Sequence, residues 1–316
     1  MKFNKPKFWD YKKQNLISYF LLPFTFPLIL NNFLLSKKSK KKYENIKTIC
    51  VGNIYLGGTG KTPTSIKLKQ ILDDLNINSV IGKKFYSAQL DEKILIEKKS
   101  KLILKKNRLE IIKLAIKNNY DCLIFDDGLQ DKNIKYDLEF VCFDAAKWLG
   151  NGNLIPSGPL REKISSLKKY DAVFLKKDRE DVNSILEIIK NINPKIKIFN
   201  TSYKITNINK FDLSKNYLIV SGIGNPESFK NILLNNKFKI IDEIIFPDHY
   251  EYKKRDIDII KQHAKDNKAE IITTEKDYVK MIEFENNLIK PIEIDLEIEN
   301  KIELNSFLKS KLYEKH

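Results

Sequence analysis

From residue 46 onward, short continuous apolar runs alternate with longer segments whose apolar positions recur every three or four residues. The runs at 46–51, 122–125, 138–143 and 172–175 lack polar alternation, the pattern of strands buried on both faces. Shorter strands are predicted near Val80 and Leu102, and helices over 62–75, 108–117 and 182–192. This βα alternation predicts a mostly parallel sheet covered by helices on both sides. Residues 195–209 instead alternate polar and apolar, as a β-ribbon or linker does. A second alternation follows: strand 217–220, helix to about 235, strand 240–246, helix 253–265, strands 270–273 and 292–294, helix 301–312. The expected organisation is α/β throughout. A larger domain spans 43–205 and a smaller one 206–316, joined through a ribbon near 196–212. Residues 1–42 have a different character.

That first segment carries the most apolar stretch of the chain, 16–35, interrupted by Ser18, Thr25, Asn31, Asn32 and the prolines Pro23 and Pro27. Twenty residues are enough to cross a bilayer. The prolines are expected to break or kink a helix, and lysines at both ends put one cluster on the wrong side for a simple span. Phe8, Trp9 and Tyr11 suit a headgroup interface. The reading is a monotopic, in-plane anchor, the alternatives being a true span or helices packed on the protein's own core. No small-residue cleavage site follows, so a signal peptide is not expected.

Charge supports the anchor. Lys and Arg total 57 against 41 Asp and Glu, a net of +16. Such a basic chain invites a nucleic-acid reading, but only Arg108, Arg161, Arg179 and Arg255 supply the side chain that usually reads bases. Residues 1–42 hold ten Lys and one Asp, giving +9 of that total beside the apolar stretch. The expected partner is therefore an anionic membrane surface, not nucleic acid. With 42% apolar and 31% charged residues the chain is globular, not disordered. Cys50, Cys122 and Cys142 each sit inside an apolar run and read as reduced core residues.

Five stretches carry candidate chemistry. Gly57-Gly58-Thr59-Gly60-Lys61-Thr62 follows a predicted strand and opens a helix, as a phosphate-binding loop must. Its backbone N–H groups and the helix N-terminus would face phosphates. Lys61 would reach the β- and γ-phosphates of ATP, and Thr62 would ligate Mg²⁺. The strict pattern has Gly where this chain has Tyr55. The strand at 122–125 ends in Asp126-Asp127, where such enzymes keep a metal-associated carboxylate. Asp126 is preferred, with Asp127 or Gln130 helping. The Gly/Pro-dense stretch 150–162 ends in Arg161, a phosphate clamp, and Glu162, expected to touch the metal or orient Arg161. Pro247-Asp248-His249 places a histidine after a predicted strand in the second domain. Residues 274–280 read by themselves as a solvated helix start.

In this order and spacing the motifs resemble the tetraacyldisaccharide 4'-kinases, the lipid A 4'-kinases of Gram-negative bacteria. The resemblance runs from Lys5–Trp9 through Gly57–Thr62, Asp126–Gln130, Gly150–Glu162, Gly222–Pro226 and Pro247–His249 to Thr274–Asp277. It implies a P-loop NTPase-like domain joined to a smaller α/β domain, with an N-terminal membrane-associated segment. It also implies transfer of the γ-phosphate of ATP, with Mg²⁺, to the 4'-hydroxyl of an acylated glucosamine disaccharide 1-phosphate, giving lipid IVA at the cytoplasmic face of the inner membrane. The family's catalytic acid–histidine pair corresponds to Asp91 and His249. Leu90 stands where the family has Gly, Lys83 where it has Arg, Leu129 for Phe and Asp131 for His.

Overall fold

A computed structural model describes residues 5–86, 90–131, 133–177, 181–248, 250–284 and 288–313. The chain divides into two compact units. Unit 1 comprises Met1–Lys84, Ser100–Ser202 and Ile298–His316, and unit 2 comprises Phe85–Lys99 and Tyr203–Glu297.

Unit 1 begins with an apolar helical run made of α1 (Leu16–Leu21), a 3₁₀ turn (Leu22–Thr25) and α2 (Phe26–Ser36). As expected, the α-helix is interrupted at the prolines, by the 3₁₀ turn between α1 and α2, but the helical run resumes after it. Pro23 and Pro27 each fall in the first turn of their element, where the missing N–H has no helical acceptor to lose.

The elements that follow are β1 (Lys47–Gly52), α3 (Lys61–Asp74), β2 (Ser79–Lys84), α4 (Leu90–Lys99), β3 (Leu102–Lys105), α5 (Arg108–Lys117), β4 (Cys122–Asp126), β5 (Leu138–Asp144), β6 (Ala172–Lys176), α6 (Asn183–Ile192) and β7 (Lys197–Ile205). Then come β8 (Asn216–Ser221), α7 (Pro226–Asn235), β9 (Lys239–Ile245), α8 (Lys254–Asp266), β10 (Glu270–Thr274), α9 (Glu275–Met281), β11 (Ile289–Ile292), β12 (Ile294–Ile298) and α10 (Lys301–Leu312).

The large sheet has the order β12-β7-β6-β5-β1-β4-β2-β3, and its pairings from β7 to β3 are parallel. Because successive side chains of a strand point to opposite faces, the apolar runs feed two cores. Cys50, Leu123, Phe125, Val141, Phe143 and Val173 pack with Ile111 and Ile112 of α5 and Ile185 and Ile189 of α6. Their neighbours Ile49, Val51, Ile124, Phe140, Cys142 and Phe174 pack with Leu68 and Ile71 of α3 and with Leu304, Leu308 and Leu312 of α10. The three cysteines are free and buried. Burial pushes all three thiols up, so they remain protonated and inert.

Unit 2 repeats the scheme on a smaller parallel sheet, β11-β10-β8-β9. Tyr217, Ile219 and Ile272 meet α7 through Phe229, Ile232 and Leu233. Leu218, Val220 and Ile271 meet α8 through Ile257 and Ile260.

Two segments depart from the expected boundaries. The last helix, α10, packs in unit 1 and not in the second domain, because β12 joins the edge of the large sheet and delivers it there. Helix α4, between β2 and β3 in sequence, belongs to unit 2. Its sequence shows no apolar stripe. It is fastened by the fully buried Ile96, with Lys99 to Glu275 at 2.6 Å and Glu92 near Lys276 at 3.8 Å.

Since α10 seals one face of the large sheet, Leu308→Ala should cost about 2–5 kcal/mol of stability through cavity formation. Chemical denaturation followed by near-UV circular dichroism checks this; a midpoint equal to wild type would show that α10 is not part of that core.

Candidate active site

Strand β1 ends in a loop that closes on helix α3. At the joint Gly60 has φ +84°, a left-handed conformation that a side chain resists. Thr64 and Ser65 return hydroxyls to the Gly60 and Lys61 carbonyls at 2.8 and 3.1 Å. Asn53 spans the loop, donating its amide to Thr59 Oγ1 at 2.9 Å and to the Gly57 carbonyl at 3.2 Å. The Gln130 amide donates to the Asn53 carbonyl at 2.9 Å. The loop is thus held open around the start of α3, whose free N–H groups and dipole favour an anion.

Tyr55, which replaces the Gly of the strict pattern, is buried. It forms an antiparallel bridge with Leu160 and packs against Leu154, Leu160, Leu28 and Ile29. Leu56 N–H donates to the Pro159 carbonyl at 2.8 Å and Arg161 N–H to the Ile54 carbonyl at 2.7 Å. The 150–162 stretch is therefore a second wall laid along the phosphate-binding loop, with Tyr55 as the filler between them.

The charged centre follows from strand register. Parallel pairing sets Asp126 of β4 beside Val51 of β1 and Lys83 of β2. Asp126 is 2% exposed. It accepts from Thr62 Oγ1 at 2.9 Å, from Ser65 Oγ at 3.2 Å and from Lys83 Nζ at 2.5 Å. Asp127 leaves the strand at φ +61° and faces other cations, Lys61 at 3.8 Å and Arg161 at 3.3 Å. Burial alone would push the Asp127 carboxyl up, but Lys61, Arg161, Lys83 and Arg108 together outweigh it and hold it below its ordinary value. Arg161 also donates to Gln130 Oε1 at 3.0 Å.

Most of the expected residues therefore converge: Lys61, Thr62, Asp126, Gln130 and Arg161 lie around one point at the carboxyl ends of β1 and β4, the usual ligand position in an open α/β sheet. Glu162 has partners of its own. Its carboxylate takes Lys169 at 2.5 Å and Tyr170 at 3.1 Å. Arg161 turns to Asp127, while Glu162 turns to that second pair. Arg108 was not singled out by the motifs. It holds the turn after β4, donating to the Asp127 carbonyl and to Asp131 at 3.1 Å, and Asp131 stands where the family has His.

In unit 2, His249 lies outside the described residues, as does the side chain of Asp91, whose backbone is in α4. The 274–280 stretch corrects an expectation. It is not a solvated helix start, since Asp277 is fully buried and Glu275 nearly so. Asp277 accepts from the Gly222 N–H at 2.9 Å and from Thr274 Oγ1 at 2.8 Å. A Cβ on Gly222 would come within 3.1 Å of both Asp277 and the Tyr252 hydroxyl, so a side chain here would crowd the buried acid.

The sequence model of the tetraacyldisaccharide-1-P 4'-kinase family matches residues 18–90 and 87–313. The tetraacyldisaccharide 4'-kinase of Pelagibacter ubique is 48% identical over 318 residues, covering all of both chains. That of Rickettsia canadensis is 35% identical over 98% of this chain and 97% of its own. Among solved structures, LpxK from Aquifex aeolicus in complex with ATP superposes with a TM-score of 0.69 at 20% identity, covering 94% of this chain and 100% of that one.

The buried Asp126–Lys83 pair yields a direct test. Asp126→Asn should cost about 3–5 kcal/mol by removing the buried carboxylate that faces the Lys83 ammonium at 2.5 Å. Adding Lys83→Met should recover part of that loss. Equal stabilities of the single and double variants in urea titrations would contradict the pairing.

Proposed function

The chain belongs to the tetraacyldisaccharide-1-phosphate 4'-kinase family, and we propose that its own residues carry out that family's reaction as follows. The γ-phosphate of ATP passes to the 4'-hydroxyl of an acylated glucosamine disaccharide 1-phosphate in lipid A biosynthesis, giving lipid IVA. The observation that carries this reading is the convergence of Lys61, Thr62, Asp126 and Arg161 at the N-terminus of α3.

Phosphoryl transfer asks a protein mainly for positioning and charge. The loop Gly57-Gly58-Thr59-Gly60 offers backbone N–H groups to the phosphates. Lys61, now turned toward Asp127, is within reach of the terminal phosphates, and Arg161 is a planar clamp for one of them. Both cations are held near Asp127 until an anion with more charge arrives. The Thr62 hydroxyl and Asp126 carboxylate, 2.9 Å apart, form a hard-oxygen pair suited to Mg²⁺, with the Gln130 amide oxygen as a further donor. Thr62, Asp126 and Gln130 would hold Mg²⁺ there, which would supply positive charge to the transferring phosphoryl group. Glu162, fastened to Lys169 and Tyr170, serves this reading better as the brace of the Arg161 segment than as a metal ligand. Asp91 and His249 are assigned the family's coupled base, taking the proton of the attacking hydroxyl.

The apolar run Leu16–Leu35 is long and apolar enough by length and composition to cross a membrane, and only 11% of it is buried. A different arrangement is favoured. Ser18 and Asn32 both bond to the loop at 151–161, and fourteen helical residues extend about 20 Å. A helix fastened over that length lies along the protein's surface, which suits an anchor in the plane of the cytoplasmic leaflet of the inner membrane. The ten lysines around it would meet anionic headgroups. The enzyme would thus meet a substrate whose acyl chains stay in the bilayer.

Incubation with MgATP and the disaccharide 1-phosphate in detergent micelles should give a doubly phosphorylated product, resolved by mass spectrometry. No product from wild type would refute the assignment. Asp91→Ala and His249→Ala should each lower kcat by about 10² or more, and Lys61→Ala by at least as much; wild-type turnover in any of them would remove that residue from its role.

A further inference from the structure

The apolar run has its polarity reversed relative to a helix on a water-soluble protein. Ser18 is fully buried and Thr25 nearly so, whereas Leu16 is 88% exposed and Phe20 75%. Phe24, Phe26, Phe33 and Leu34 are exposed as well. Ser18, Thr25 and Asn32 are spaced by seven, so they share one face of a helix. That face is turned to the protein and the greasy face is turned out. The inward polar side chains are satisfied by hydrogen bonds, but leaving so many aromatic and aliphatic side chains in water is unfavourable. The arrangement makes sense only if the outer medium is lipid.

The polar stripe grips the phosphate site itself. Asn32 Nδ2 donates to the Arg161 carbonyl at 3.0 Å, and Arg161 N–H donates in turn to Ile54 of the phosphate-binding loop. Ser18 accepts from Asn151 Nδ2 at 2.9 Å through its hydroxyl, and its carbonyl accepts from Ser157 Oγ at 2.7 Å. Just upstream, Trp9 is buried and donates to the Pro156 carbonyl at 3.0 Å. The Trp9 carbonyl fills the space a Cβ on Gly150 would need. Asp10 accepts from the Tyr55 hydroxyl, and Lys5 lies over the Tyr55 ring. Residues 5–32 therefore touch both walls of the nucleotide site: Tyr55 within the loop and Arg161 opposite it.

We propose that this segment is a lipid-dependent positioning element: contact with a membrane surface fixes Tyr55 and Arg161 and thereby strengthens nucleotide binding. Asn32 and Tyr55 are the positioning residues. A lipid surface binds best to the conformer that presents one continuous apolar face. That is the conformer in which Ser18, Thr25 and Asn32 are all turned inward. In water, alternatives that hide the phenylalanines compete with it, and each of them releases Asn32 from Arg161. Lipid thus selects the assembled site by its differential affinity for the two arrangements. This rests on the kinase reading only in taking the ligand to be ATP.

The test uses full-length protein, a fluorescent ATP analogue with Mg²⁺, and vesicles of phosphatidylethanolamine and phosphatidylglycerol, with no disaccharide present. Wild type should bind the nucleotide at least about fivefold more tightly on vesicles than off them, the lower end of ordinary coupling between sites. Asn32→Leu enlarges the apolar surface and should still sediment with vesicles, yet lose the tightening; Asn32→Gln should restore part of it. Tyr55→Phe keeps the packed ring and should lose the tightening too. In turnover assays on micelles, Asn32→Leu should raise KM for ATP and leave kcat in place. Equal nucleotide Kd with and without vesicles in wild type overturns the proposal, as does full tightening in Asn32→Leu. Because no acceptor substrate is present, failure of the kinase assay would not alter these readings, so the two proposals can fail separately.

Discussion

A carboxylate sealed from water at the end of a strand has to be compensated, and the way Asp126 is compensated organises unit 1. Three donors converge on it: Thr62 and Ser65 from helix α3, and Lys83 from strand β2. Losing that compensation would leave a buried charge at a cost far above that of a surface pair. The carboxylate therefore ties the loop–helix element to the order β1-β4-β2 of the sheet. The second carboxylate, Asp127, is reached only because the chain turns through a left-handed residue immediately after Asp126. That turn lets two adjacent acids face two different sets of cations. The outcome is a site in which Lys61, Lys83 and Arg161 outnumber two carboxylates at a helix N-terminus, an electrostatic setting made for a polyanion.

The same economy appears in the walls of the site. Tyr55 would violate a strict phosphate-binding loop, yet here it is the packed filler between that loop and the 150–162 stretch. The tyrosine makes the loop one face of a small core. It also gives the N-terminal segment something to hold, through Asp10 and Lys5. The apolar N-terminal segment and the phosphate-binding loop are in this way parts of one packed structure. In unit 2, Asp277 plays a comparable part by gathering Gly222, Thr274 and Lys280.

Much of this was legible in the chain. Continuous apolar runs located the central strands because strands covered on both faces need no polar side. The Gly-rich loop before Lys61-Thr62 located the site because left-handed backbone and exposed N–H groups require it. The prolines marked where the N-terminal helix is interrupted, and each sits in the first turn of the element that follows, where it is tolerated. Helix α4 was invisible because its apolar residues form no continuous stripe, and it is held through one buried residue, Ile96, and ion pairs to α9. The buried acid in 274–280 was likewise hidden, since nothing local distinguishes Asp277 from a solvated charge.

The sequence by itself determined the order of most strands and helices, the phosphate-binding loop, the acid-tipped strand β4 and an apolar segment suited to lipid. These follow from interactions between residues a few positions apart, whose periodicity is written directly in the chain. Tertiary structure decided which partners those residues take. Lys83 meets Asp126 because β2 and β4 pair in one particular register. Glu162 turns to Lys169 and Tyr170, and Arg161 to Asp127. Helix α10 closes unit 1 because β12 returns to the large sheet. Ser18 and Asn32 look like interruptions of a greasy helix until the fold shows them to be its attachment points. Register, strand order and the face a helix turns inward are set by contacts between residues far apart in the chain, and a local pattern carries no record of them.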